Sequence, residues 1–260
     1  ERFEQVLRYL ESRGLKVLLT AADSVIVFEG EARQVEEALN VSIGLFTNGT
    51  ASYYAVTSSR GWLEVYASNA TALVLRRFAL PPINVSPAEV YAGIEAYPLT
   101  WVLGAYNVTP LYDQGYYGQG VSVGIIDFYG DPTIYQDLAY YDRLFGLPPA
   151  NLTVVPIGPY DPELGLATGW SYEIELDVEA VHTVAPKARI VLYVANGAVP
   201  LSAIVAFVDQ QDAVSIVTQS FGVPESLLAS YYLGLGYSFF YWNVYLADVY
   251  YALGAAEGIT

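Results

Sequence analysis

Cysteine and methionine are absent from the 260 residues, and histidine occurs once, as His182. Without cysteine neither a disulfide framework nor a thiolate metal site can form. With one imidazole and no Asp-rich loop of EF-hand spacing, no metal site is predicted within these residues. Basic side chains are scarce as well. Residues 101–260 carry 3 against 16 acidic ones, net −13, while residues 1–100 carry 8 against 11, net −3, which together make the −16 of the chain. Such a chain has no basic patch with which to displace counterions, so nucleic acid is excluded as a partner. A surface so poor in Lys and Arg repels itself at neutral pH. Protonating carboxylates near their ordinary value of about 4 relieves that repulsion, so greatest stability in acid is expected. A phosphate-binding loop is lacking too, since Gly115, Gly118 and Gly120 have the wrong spacing and read as turn residues. No secretory or transit peptide is visible.

One long uncharged run does occur, Ser226 to Ala247, flanked by Glu225 and Asp248. Its length would suit a membrane span, but Gly234, Gly236 and Asn243 interrupt it and no Lys or Arg anchors either end. A loop followed by a buried aromatic helix over about Phe239 to Ala256 is expected instead. Six Asn-x-Ser/Thr sequons, starting at Asn40, Asn48, Asn69, Asn84, Asn107 and Asn151, point to an exported, extracellular chain open to glycosylation.

Hydrophobic periodicity divides the chain in two. The first part alternates short helices, about Phe3 to Ser12 and Ala32 to Leu39, with strands about Lys16 to Leu19, Ser24 to Phe28, and near Ile43 and Tyr53. This predicts an α+β sandwich with an antiparallel sheet over residues 1–79. Leu80-Pro81-Pro82-Ile83-Asn84 and Ser86-Pro87 break regular structure and read as a linker over 80–100. Over 101–260, apolar strands at Val121 to Ile126, Leu152 to Pro156, Arg189 to Val194 and Val214 to Thr218 alternate with helical stretches. That rhythm predicts the α/β class, a parallel sheet with crossover helices whose sites gather at the carboxyl ends of the strands.

The most informative run is Glu173-Ile174-Glu175-Leu176-Asp177, inside a helical pattern from Tyr172 to Val184. Glu173 and Asp177 are one turn apart and share a face. Glu175 and Glu179 lie about 200° and 240° round the helix from Glu173, which reads as a solvated face. His182 lies about 180° round, so it cannot join the Glu173 face and is expected to be structural.

Glu-x-x-Leu-Asp followed by Ala185-Pro186-Lys187-Ala188 and an apolar strand resembles the catalytic helix of the sedolisin family of serine-carboxyl peptidases, the kumamolisin-like enzymes. Tyr106-Asn107-Val108-Thr109-Pro110-Leu111-Tyr112 resembles the opening of that catalytic domain, and Gly118 to Asp127 its first core strand. Val214 to Gly222 is similar to the strand and turn lining the substrate cleft. Upstream, Tyr9 to Leu15 and Gln34 to Leu39 are similar to the later part of the family's activation prodomain.

The resemblance implies a subtilisin-like parallel sheet, incomplete here, preceded by the prodomain. Glu173 would be the general base, Asp177 the group that orients it by sharing a proton, and Asp127 a carboxyl behind the pair. Ser220, Phe221 and Gly222 would receive an extended protein or peptide substrate, with Phe221 where many relatives have Trp. The physical need is clear: imidazole is fully protonated in strong acid, whereas a carboxylate still accepts a serine proton there. Two adjacent carboxyls also titrate as one coupled unit, with at least one value raised. The family's Gly-Thr-Ser nucleophile segment, Ser-Gly-Asp-Ser-Gly oxyanion segment and C-terminal calcium ligands do not occur in this chain. The expectation is therefore a fragment of an acid endopeptidase zymogen, inactive alone, whose prodomain is an intramolecular inhibitor. Its remaining partner would be the missing C-terminal part of the catalytic domain, and calcium would bind through ligands outside this chain. A tripeptidyl peptidase of the same family and a non-catalytic secreted or cell-surface binding protein are the alternatives.

Overall fold

In a computed structural model the described residues are 2–23, 25–48, 51–59, 99–197, 199–222, 224, 226 and 244–260. The chain divides into two compact units. One takes Glu1–Asn84 with Gly197–Gln210 and Val223–Leu253, the other Val85–Asn196 with Gln211–Gly222 and Gly254–Thr260.

The first unit opens with α1 (Arg2–Ser12), β1 (Lys16–Ala21), β2 (Val25–Glu29), α2 (Ala32–Leu39), β3 (Val41–Asn48) and β4 (Ala51–Ser59). β1 pairs with β2 and β3 with β4, both antiparallel, as the alternating pattern predicted. α2 starts with a reciprocal cap between Glu31 and Gln34 and stops at Asn40, whose left-handed φ of 53° ends the helix. Leu10, Leu15, Val35, Ala38, Leu39 and Val41 form its core. Across that core the Tyr9 hydroxyl donates to the Ala38 carbonyl at 2.7 Å. The linker expected over 80–100 falls almost wholly outside the described residues.

The second unit contains α3 (Thr100–Ala105), α4 (Thr109–Asp113), β5 (Ser122–Phe128), α5 (Ile134–Phe145), β6 (Asn151–Ile157), α6 (Pro162–Thr168), α7 (Trp170–Val184), β7 (Arg189–Ala195) and β8 (Ile216–Thr218). α8 (Leu201–Gln211) lies between β7 and β8 in sequence, and α9 (Leu246–Glu257) precedes the C-terminus. The four strands form one parallel sheet in the order β6-β7-β5-β8. The fold class is thus the α/β one expected. β7 is the most deeply buried strand, Ile190 to Ala195 being at most 1% exposed, which explains why it reads as a continuous apolar run. Beyond β8, the Thr260 amide donates to the Ser215 carbonyl and the Val217 amide to the Thr260 carbonyl, extending the parallel ladder by one residue.

α7 covers one face of this sheet. Ile174 and Val178 are fully buried against Ile125, Ile190, Leu192 and Val194 of the strands and Ile134 and Leu138 of α5. Each such side chain contributes about 1.5–3 kcal/mol by leaving water. No helix among the described residues is long and apolar enough to cross a membrane, and most of Ser226–Ala247 lies outside those residues.

Candidate active site

Sequence sets the N-terminus of α7 through the turn before it. Asp161 caps α6, accepting from the Leu164 amide at 3.1 Å, and Pro162 occupies the first turn. Gly169, at φ 84°, ends α6 and starts α7, a left-handed junction that a side chain would strain. The C-terminal half of α7 is held by polar bonds. The Tyr112 hydroxyl donates to the carbonyls of Thr183 and Val184, and the Tyr141 hydroxyl lies 2.7 Å from Thr183 Oγ1. His182, fully buried, places Nε2 2.9 Å from both the Pro148 carbonyl and Asp142 Oδ1. It joins α7 to α5 and to the loop before β6, the structural role expected of it.

With its far end anchored, α7 presents Glu173 in its first turn and Asp177 one turn on. Asp177 is buried; its Oδ1 accepts from the Ser220 hydroxyl at 2.7 Å, and among the described residues no group bonds Oδ2. Burial raises the Asp177 pKa above the usual carboxyl value, while the Ser220 hydrogen bond opposes that rise. Glu173 is half-buried and shifted the same way, first by desolvation and then by the Asp177 charge. Asp127, next to last on β5, has no exposure and, among the described residues, no hydrogen bond to either oxygen. Desolvation, followed by the charges of Asp177 and Glu173, lifts it well above the ordinary range. The three carboxyls form one coupled group at the carboxyl end of the sheet.

Ser220 and Gly222 are exposed beside it. Phe221 packs its ring 5.1 Å from Phe128 and 6.3 Å from Trp170, with Phe128 and Trp170 at 4.9 Å. The three rings form an aromatic wall. Such a site can hold a proton on one acid, accept one on another, and offer backbone groups at 220–222 to an extended chain.

Three features were not read from the sequence. The Ser220 hydroxyl, rather than only its backbone, engages Asp177. Trp170 and Phe128 complete the aromatic wall, and only their helix-start and strand-end positions hint at it. The solvated-face reading of Glu175 and Glu179 is corrected: both are half-buried and both are raised by desolvation. α5 packs against α7 on that side, which the sequence of α7 alone could not reveal.

Residues 1–61 match the family described as Pro-kumamolisin, activation domain. Eleven solved chains match the protein. Among them is Pseudomonas sedolisin, a serine-carboxyl proteinase complexed with two molecules of pseudo-iodotyrostatin. It is 20% identical with a TM-score of 0.46, over 57% of this chain and 40% of that one. The chain thus spans less than half the length of that proteinase. No curated protein matches.

Proposed function

We propose that residues 1–61, which match the Pro-kumamolisin activation domain, precede the first part of a serine-carboxyl peptidase, and that the whole protein is a peptidase zymogen. The observation that carries this reading is the coupled carboxyl group: Glu173 and Asp177 one turn apart on α7, Asp127 buried behind them, and the Ser220 hydroxyl 2.7 Å from Asp177. Glu173, the more exposed of the pair, is the general base for a serine hydroxyl supplied from outside these 260 residues. Asp177 holds it in place and shares its proton. Asp127, kept neutral by burial, limits the negative charge that gathers around the pair. The residues at 220–222 bind the peptide as an added strand, and the Phe221–Trp170 wall accommodates an apolar substrate side chain.

A carboxyl base still accepts protons in acid, where an imidazole would be fully charged, which supports an acid working range for a secreted, glycosylated protein. The activation domain acts as an intramolecular inhibitor, and its Lys and Arg side chains would release carboxylate partners once acid protonates them. Calcium, which the resemblance implies, would be held by residues other than those quoted for the site. The 260 residues alone lack the serine and turn over no substrate.

The test is acid-pH cleavage of a peptide library by the longer natural polypeptide and by its Glu173→Gln variant. Loss of a general base lowers kcat by about 10²–10⁴-fold. Equal rates in the two would eliminate Glu173 as the base, and no cleavage by either would favour the non-catalytic binding protein.

A further inference from the structure

On the side of α7 away from Glu173, three carboxylates from three segments converge. Asp131 follows β5, Asp137 lies in the first turn of α5, and Glu175 lies on α7. Each offers an oxygen within 4.8 Å of the other two. Asp131 is 2% exposed. Its Oδ1 accepts from the Thr133 amide and hydroxyl, and its Oδ2, equally buried, has no hydrogen-bond partner. Among the described residues, none of the three carboxylates has a Lys or Arg partner. A buried oxygen with no donor, set among two further anions, is costly unless something positive meets it.

The loop that delivers Asp131 is built rigidly. Tyr129 takes a left-handed φ of 65°, and its amide donates to the Ala195 carbonyl at 2.8 Å. The Tyr160 ring lies against Gly130, where a side chain would meet it at 2.5 Å. Gly165 of α6 packs directly on the Gly130 backbone. The carboxylate is therefore positioned by the fold rather than by a flexible loop.

We propose that Asp131, Asp137 and Glu175 bind one divalent cation of calcium size, tying the loop after β5 and the start of α5 to α7. Donor chemistry selects the ion. Three carboxylate oxygens are a hard set suited to calcium or magnesium, with no Cys or His for zinc or copper. Magnesium gives up its waters reluctantly and is usually held through one or two carboxylates, so three carboxylates around one ion favour calcium. Waters complete the six to eight ligands calcium takes. This site shares no residue with the carboxyl group around Glu173. It is also separate from the calcium ligands that the family resemblance implies near a C-terminus. Sequence reading missed it because the three residues are 6 and 38 positions apart on different elements.

The test uses the full 260-residue chain, freed of metal by chelator, at neutral pH. Terbium titration reads the site directly, because Tyr160 neighbours Asp131 and can sensitise its emission. Calorimetry with calcium alone reads binding without depending on any tyrosine. The expected result is one saturable terbium site, displaced by calcium at least about tenfold more readily than by magnesium. Saturating calcium should also raise Tm by several degrees. Asp131→Asn and Glu175→Gln should each weaken calcium binding at least about tenfold, while Asp113→Asn, at an exposed carboxylate elsewhere in the unit, leaves it unchanged. If Asp131→Asn does not fold, Asp137→Asn at its half-exposed position on α5 serves in its place. No calorimetric binding at millimolar calcium would overturn the proposal, as would binding that the variants leave intact. A site favouring magnesium would overturn the choice of calcium and with it the assignment.

Discussion

Replacing Glu179 by Gln should remove part of the loss of stability that the protein suffers between pH 4.5 and 7.5. Glu179 is half-buried on α7. Desolvation, then Glu175 on the same helix, then Asp137 and Asp142 on α5, push its carboxyl from the ordinary 4.5 up to about 7. A carboxyl raised on folding binds more protons in the native state than in the unfolded chain. Its contribution is therefore fully present below about 4.5 and is lost as pH rises through about 7. At about 1.36 kcal/mol per tenfold change in proton affinity, the full rise is worth at most ~3 kcal/mol. Solvent screening at a half-exposed site reduces that to about 1 kcal/mol. The assay is thermal unfolding of wild type and Glu179→Gln at pH 4.5 and 7.5, with chelator present throughout. Wild type should lose Tm relative to the variant by roughly 2–4 °C across that window. Glu173, Glu175, Asp177 and Asp127 are all shifted in the same direction, so each adds to a profile that favours acid. Identical slopes for wild type and variant, or a wild-type Tm rising steadily from pH 4 to 7, would refute the reasoning.

Other outcomes follow from individual contacts. Ile174→Ala, which empties a fully buried position between α7 and the sheet, should cost about 2–5 kcal/mol by denaturant unfolding. Ser220→Ala removes the hydroxyl that stabilises ionised Asp177, so NMR titration should show the Asp177 pKa rising further. Gly165→Ala would drive a methyl group into the Gly130 backbone. It should destabilise the protein by about 1–3 kcal/mol, with a lowered denaturant midpoint as the readout. Tyr9→Phe deletes only the bond to the Ala38 carbonyl and should cost about 1 kcal/mol.

Much of this architecture was legible because local rules coincide with the global fold. α2 was delimited from sequence at the residues it occupies, because a capping pair and a left-handed Asn bound it at either end. The strands β5 and β7 announced themselves as apolar runs because parallel strands covered on both faces tolerate no polar alternation. Strand ends were less well read. β5 runs two residues past the predicted Ile126, through Asp127 and Phe128, since ladder partners on β7 extend it. Such partners are invisible in a single segment. The expected helix over Phe239 to Ala256 is described only from Leu246 onward, where α9 runs to Glu257.

The sequence by itself determined that Glu173 and Asp177 share a helical face, because a period of 3.6 residues is a property of the backbone alone. It likewise determined the class of fold and the excess of negative charge. Only the tertiary structure decided what surrounds those charges. Folding set Asp127 beneath the pair without a donor, aimed the Ser220 hydroxyl at Asp177, and turned Glu175 toward Asp131 and Asp137 rather than toward water. The physical reason is that a carboxyl's proton affinity depends on burial and on neighbours drawn from distant segments, and neither is written in the spacing of one helix.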